Sequence, residues 1–217
     1  MTPTGQDPAD RHRFEVVDSA VHYRGAIVNL RVDTVTMPGG GHADREIVEH
    51  RGAVAVLALD ERDRVLVIDQ YRHALGRRIL QLPAGLLDVA GEDPVAAADR
   101  ELVEETGFTA ARYQVLVDLA VSPGFTDELL RVYLATDLRA VDRPAPADEE
   151  ADMASRWIDL GELADRALGG TVYDATAVAA VTALVAARSL GTTLRDADAP
   201  APLWPTAFDA RAQTGRS

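Results

Sequence analysis

The segment Arg100-Glu101-Leu102-Val103-Glu104-Glu105-Thr106-Gly107-Phe108 gathers three carboxylates and a guanidinium into a very short stretch of chain. On a helix, Glu101 and Glu105 fall one turn apart with Glu104 beside them, so the acids fan over roughly a third of the circumference. Like charges at that spacing repel and weaken an isolated helix. Hard divalent cations offset such repulsion, because they take oxygen ligands and favour several converging carboxylates. The pattern therefore points to a Mg²⁺ site for phosphate chemistry. The plain alternative is a solvated acidic face on an ordinary surface helix, which composition alone allows.

The element that must carry these acids is legible. Asp93 is a good N-cap, and Pro94 stands at the first helical position, where its missing N–H costs nothing. Alanine-rich sequence follows, and Gly107 supplies a left-handed stop. Val95, Ala98 and Leu102 form an apolar stripe beside the Glu101/Glu105 face, so one side packs while its flank points into a cleft.

Around this helix the chain divides into four expected segments. Residues 1–13 are polar and expected to be disordered. Residues 14–50 alternate as strands at 14–23, 26–37 and 45–50 around a Pro38–Gly41 turn, which predicts a small antiparallel sheet. Residues 51–190 form the main domain. Within it, 53–60 and 64–73 read as a hairpin with a buried first strand, and Leu80–Leu82 enters the Pro83-Ala84-Gly85 turn before the helix. Further strands are expected at 113–120, 129–136 and 155–159, then a short helix around 162–168 and a longer one over 174–190. The longer helix is apolar on most sides, which implies deep burial or a subunit contact. The tail, 191–217, is rich in Pro and Ala and expected to be irregular, with Leu203, Trp204 and Phe208 packing on the body. The predicted class is α+β: an α/β/α sandwich on a mixed sheet, plus the small N-terminal sheet.

Composition narrows the function classes. The 217 residues include 22 basic and 35 acidic side chains, a net charge of −13 that argues against a nucleic-acid partner. The absence of Cys removes disulfides, thiolate metal sites and Cys nucleophiles together. No run spans a bilayer and the N-terminus lacks an apolar signal core, so no membrane partner and a cytoplasmic location are expected. His12, His22, His42, His50 and His73 show no paired metal spacing and read as surface or loop residues, and Trp157 reads as core.

Glu92, seven intervening residues, then Arg-Glu-Leu-x-Glu-Glu-x-Gly-Phe resembles the Nudix box, G-x5-E-x7-R-E-U-x-E-E-x-G-U with U a bulky apolar residue. Every position from Glu92 to Phe108 fits; Gly85 lies one residue too far upstream, so the first loop carries an insertion. Pro123, sixteen residues after Gly107 in Ser122-Pro123-Gly124-Phe125-Thr126-Asp127-Glu128, resembles the proline-bearing loop of ADP-ribose pyrophosphatases. The segments Asp69–His73 and Arg45–Gly52 resemble that group as well.

The resemblance implies a Nudix sandwich core, an N-terminal sheet exchanged across a homodimer, and Mg²⁺-dependent cleavage of ADP-ribose to AMP and ribose 5-phosphate, with Mn²⁺ a possible substitute. It carries over Glu101 and Glu105 as metal ligands with the backbone carbonyl of Ala84, Glu104 as a further ligand direct or through water, and Arg100 as the group orienting them by bidentate pairing. Substrate contacts fall on Arg45, Glu46, Arg51, Arg72, Leu86, Ser122, Pro123, Gly124 and Glu128, with Arg72 a clamp for the diphosphate; the plain alternatives are a surface salt bridge for Arg72, a dimer interface for Arg51 and a strand-edge charge for Glu46. The family often keeps its general base on a mobile loop. The loop Ala147–Asp152 offers Glu150 first, then Glu149, then Asp148. Competing readings are a pyrophosphatase for another nucleoside diphosphate sugar such as GDP-mannose, a non-catalytic ADP-ribose sensor, and a purely structural α+β domain.

Overall fold

The computed structural model describes residues 12–89, 91–145, 152–201 and 204. Its first strands are β1 (Val16–Arg24), β2 (Val28–Thr36), β3 (His42–His50), β4 (Ala53–Ala58) and β5 (Arg64–Arg72). A 3-10 turn at His73–Leu75 leads to β6 (Arg77–Gln81), β7 (Ala84–Leu86) and α1 (Pro94–Thr106). Then come β8 (Phe108–Ala120), β9 (Leu129–Ala140), β10 (Ala154–Asp159), α2 (Leu160–Leu168), α3 (Ala175–Leu190) and the short β11 (Arg195–Asp196). The chain separates into two compact units, one of the residues through His50 with Ser122–Asp127, the other of Arg51–Val121 with Glu128–Trp204.

The first unit is an antiparallel meander, β1-β2-β3. Its interior is partly polar: Asn29, Asp33 and Glu49 are buried, and Arg31 donates to Asp33 at 2.9 Å and to Glu49 at 2.5 Å. The Ser122–Asp127 loop joins this unit through its backbone. Val48 N–H donates to the Phe125 carbonyl at 2.7 Å, and the Asp127 carboxylate accepts from His50 N–H at 2.8 Å.

In the second unit, period-two alternation along the central strand decides the layers. Ala53, Ala55 and Leu57 of β4 face a cluster containing Leu160 and Leu163 of α2 and Ala177, Ala180, Val181 and Leu184 of α3. Val54, Val56 and Ala58 face the opposite cluster with Ala97, Ala98 and Leu102 of α1. The sheet between them runs β11-β8-β9-β4-β7 and is mixed, because β4 is parallel to β9 and antiparallel to β7. A second, antiparallel sheet runs β10-β5-β6. This is the predicted α/β/α arrangement on a mixed sheet.

Several local expectations need correction. Strands β4 and β5 do not continue as a paired hairpin: they meet at the turn, through the Leu59–Val65 bridge and Asp60 N–H on the Arg64 carbonyl, and then enter different sheets. β4 is buried throughout, and β5 is buried without a break from Val65 to Ile68. A strand packed on both faces is an unbroken apolar run, which carries no information about its partner. Arg77–Gln81 is a strand, where only an entry into a turn was expected from Leu80. Helix α3 buries one stripe and leaves Val185 and Leu190 exposed. On α1, Ala97 is fully buried where Val95, expected in the stripe, is only half-buried. Trp157 is half-buried as well, packed edge-on against Phe108 at 5.5 Å with Arg64 over its face.

Candidate active site

Helix α1 begins and ends as its sequence requires. The Asp93 side chain accepts from Val95 N–H at 2.9 Å, Pro94 follows, and Gly107 closes the helix at φ 74° with its N–H on the Val103 carbonyl. Two polar ties fix its placement on the sheet. Asp99 accepts from the Thr109 hydroxyl at 2.7 Å and the Tyr113 hydroxyl at 2.6 Å. At the other end Arg143 Nε donates to the Glu104 carbonyl at 2.7 Å, filling one of the acceptors that a helix C-terminus leaves open. Burial and the Asp99 carboxylate push the Tyr113 phenol pKa up, so its hydroxyl remains a donor.

Strand β7 passes directly beneath the acids. A Cβ on Gly85 would overlap the Glu101 carboxylate, so the backbone reaches that side chain only because residue 85 has none. Gly85 therefore occupies the place of the box glycine, and the inserted residue lies in the loop after it. Glu105 is buried at 4% exposure, and its Oε2 accepts from Ala84 N–H at 3.0 Å. Arg100 organises the rest. Its fork closes on Glu92, with Nε to Oε1 at 3.1 Å and Nη2 to Oε2 at 3.0 Å. Single bonds run from Nη1 to Glu101 at 2.6 Å and to Glu104 at 3.2 Å. The bidentate partner is thus Glu92, not the presumed ligand carboxylates, and Asp88 stands 4.0 Å from Nη2.

Electrostatics follow from this crowding. The hydrogen bonds from Arg100 hold the Glu92 carboxyl below its ordinary pKa, against a smaller effect of burial. Burial pushes Glu101 up, with Glu104 and Asp88 adding to it, and Arg100 only partly offsets the rise. Three box carboxylates (Glu92, Glu101 and Glu104) share a single guanidinium, while Glu105 is held by Ala84 N–H. Among the described residues no three Asp, Glu or His side chains form a ready metal cage, since Glu101 and Glu104 turn toward Arg100. The donor set is entirely hard oxygen, with more carboxylates than bonded cations beside the bare backbone of Gly85, which fits a divalent cation and no soft metal.

A family model described as NUDIX domain matches residues 49–178. The chain belongs to the NUDIX family. It is 50% identical over 200 residues to an ADP-ribose pyrophosphatase of Mycobacterium tuberculosis, covering 92% of this chain and 97% of that protein. It is 40% identical over 164 residues to a methanol dehydrogenase activator of Bacillus methanolicus, covering 73% and 85% respectively. A crystal structure of an ADP compounds hydrolase shares the fold at TM-score 0.73 and 21% identity, covering 84% of this chain and 98% of that one.

The other candidate residues fall into two groups. The unit built on the NUDIX sandwich carries, besides the box, Leu86 on β7, half-buried Arg51, Arg72 at the end of β5, and Glu128 just before β9. Arg72 Nε donates to Gln81 Oε1 at 2.5 Å. The N-terminal unit carries exposed Arg45 and Glu46 on β3 and the Ser122-Pro123-Gly124 turn, where the Ser122 carbonyl accepts from Phe125 and Thr126 N–H at 3.1 Å. Asp148, Glu149 and Glu150 lie outside the described residues, as do Leu203 and Phe208. Trp204 does pack: a Cβ on Gly52 would collide with its ring. Asp99, Arg143, Gln81 and Asp174 escaped the sequence reading of the NUDIX site. Asp99 stands next to Arg100 in the box, so its position was a usable signal; the other three act across long sequence separations and left none.

Proposed function

We propose that this protein hydrolyses the diphosphate bond of ADP-ribose in a Mg²⁺-dependent reaction, releasing AMP and ribose 5-phosphate, with Mn²⁺ as a possible substitute. The observation that carries the reading is the box itself: three carboxylates sharing one arginine, Glu105 buried on Ala84 N–H, and Glu101 set against the bare backbone of Gly85. The choice of ADP-ribose is supported by 50% identity to an ADP-ribose pyrophosphatase along nearly the whole chain.

In this reading Glu101, Glu104 and Glu105, with the Ala84 carbonyl, hold the cation. A bound divalent ion supplies Lewis acidity to the diphosphate and acidifies the attacking water. Arg100, forked on Glu92, restrains Glu101 and Glu104 so that they present their free oxygens to one side. Ala84 N–H fixes Glu105 in the same way. Arg72 binds the diphosphate, and Glu150, with Glu149 second, removes the proton from water. Arg45, Glu46, Arg51, Leu86, Ser122, Pro123, Gly124 and Glu128 serve the nucleoside and ribose ends. Residues 14–50 exchange across a homodimer around the 51–190 catalytic domain, and the protein works in the cytoplasm without nucleic-acid or membrane partners.

Chromatography of products after incubation with ADP-ribose and Mg²⁺ tests the reading. Equimolar AMP and ribose 5-phosphate are expected, with turnover of GDP-mannose far slower. Intact ADP-ribose, or faster cleavage of another nucleotide sugar, overturns it.

A further inference from the structure

Most partly buried arginines of the second unit are neutralised by a carboxylate. Arg64 closes on Asp60, Arg131 on Asp118 and Arg100 on Glu92. Arg72 differs. It is half-buried, and its Nε is held by a neutral amide, Gln81 Oε1 at 2.5 Å. Among the described residues no carboxylate pairs with Arg72, and neither Nη group has a protein partner. Its direct cross-strand neighbour in the β5–β6 ladder is Arg77, another cation. Like charges directly opposite destabilise a sheet unless an anion lies between or over them. Arg72 is therefore oriented without being discharged, the condition a receptor for a polyanion requires.

The orienting amide is itself held from behind. Gln81 Nε2 donates to Asp174 Oδ1 at 2.7 Å. Because Gln81 must accept from Arg72 on one side and donate to Asp174 on the other, its amide has one workable orientation. The second oxygen of Asp174 caps α3 by accepting Ala177 N–H at 2.8 Å. The chain of contacts runs from the helix terminus through Asp174 and Gln81 to Arg72, over a sequence span of 93 residues at its longer link.

We infer that Gln81 and Asp174 are positioning residues that aim the Arg72 guanidinium at the substrate diphosphate while leaving its charge uncompensated. The inference rests on the diphosphate hydrolase reading for its kinetic consequence, though the relay itself is a property of the free protein. Its logic is selective. A carboxylate in place of Gln81 would hold Arg72 equally well but cancel the charge that the phosphates must meet; the amide supplies direction alone.

The test combines Gln81→Met, Asp174→Ser, Arg72→Ala and the double variant Gln81→Met/Arg72→Ala. Serine at 174 keeps an oxygen to cap α3 and removes the second acceptor, separating helix capping from the relay. With ADP-ribose and Mg²⁺, Gln81→Met is expected to raise KM roughly tenfold, the loss of one hydrogen bond to a charged group, with a much smaller change in kcat. Asp174→Ser is expected to raise KM by a smaller factor with an unchanged fold by circular dichroism. In the Arg72→Ala background, Gln81→Met should add nothing further, because residues acting as one unit are non-additive. An equal Gln81→Met effect with and without Arg72, or an unchanged KM, overturns the inference.

A second readout does not need turnover. In the free protein the ¹⁵N-attached Nε proton of Arg72, assigned by its loss in Arg72→Ala, should exchange slowly in the wild type and rapidly in Gln81→Met. Equal exchange in both sinks the relay whatever the activity. Wild-type protein that leaves ADP-ribose intact but shows the slow Nε proton overturns the functional reading and keeps the relay.

Discussion

Two buried charge clusters in the same unit are built from the same side chains and behave in opposite ways. On α1, one arginine serves Glu92, Glu101 and Glu104, with Asp88 nearby. Between β8 and β9, the single carboxylate of Asp118 is served by two arginines, Arg131 at 2.7 and 3.2 Å and Arg195 at 2.7 Å. Burial is the largest influence on both Glu101 and Asp118, and it pushes both upward. Yet Glu101 ends above its ordinary value, while the two guanidinium groups bring Asp118 below. The stoichiometry of charge, together with the somewhat deeper burial of Glu101, separates the two: two cations serve the one carboxylate of Asp118, and one cation is shared by three carboxylates in the box. Asp118 with Arg131 is architecture, further packed by the Trp204 ring 5.8 Å from the Arg131 guanidinium. The box keeps more carboxylates than cations among its bonded groups.

That contrast breaks most visibly with Glu101→Gln. Removing one ligand should cost several kcal/mol of transition-state stabilisation, on the order of 10²–10³-fold in kcat. The metal-free variant should melt no lower than wild type, because the change relieves like-charge repulsion. A drop in melting temperature without loss of turnover would make the box structural. Asp118→Asn should do the reverse. It strands Arg131, only 3% exposed, without its counter-charge, and should cost about 3 kcal/mol in denaturant-derived stability with kcat preserved in the folded fraction.

The two clusters also differed in how far the sequence disclosed them. The box lies within one helix and its caps, where spacing, N-cap and stop residue are all local, so Asp93, Pro94, Gly107 and the fan of acids could be placed before any coordinates. The Asp118–Arg195 bond spans 77 residues and the Gln81–Asp174 bond 93, and no periodicity reports such pairings. The same blindness extended the β4–β5 turn into a paired hairpin: adjacency in sequence suggested a pair, while burial on both faces erased the alternation that would have assigned each strand to its own sheet. The insertion after Gly85 was legible as spacing along the chain, but the close approach of Gly85 to Glu101 is a contact through space that spacing does not report.

Titration with Mg²⁺ sharpens the comparison next. A ligand that binds only the folded state at a hundred times its Kd stabilises by about 2.7 kcal/mol. For a chain of this size that corresponds to a rise of roughly 5–10 °C in melting temperature, expected for wild type and for Asp118→Asn but not for Glu101→Gln. A smaller effect separates the clusters by pH. Asp118 has a depressed folded pKa, so its contribution is fully present above the unfolded value of about 3.9 and is lost as pH falls through the lower folded value. The stability gap between wild type and Asp118→Asn should be constant above about pH 5 and close in stronger acid. A gap that persists unchanged into strong acid would show that the substitution acts through packing alone.

Arg195→Ala probes the same stoichiometry at its weakest point. Arg195 is 46% exposed at the side chain and makes one bond to Asp118, whereas Arg131 is buried and makes two. Exposed ion pairs contribute at most about 1 kcal/mol, because solvent screens them and ordering a long side chain costs entropy. If one well-placed cation suffices for one carboxylate, the variant should lose only a few tenths of a kcal/mol, about the usual range of surface substitutions. The loss should shrink further in high salt as screening shortens to a few ångströms. A loss as large as that of Asp118→Asn would mean that Asp118 needs both arginines. Then the single guanidinium of the box would be further from balancing its acids than the bond count implies, and the case for a divalent cation there would strengthen rather than weaken.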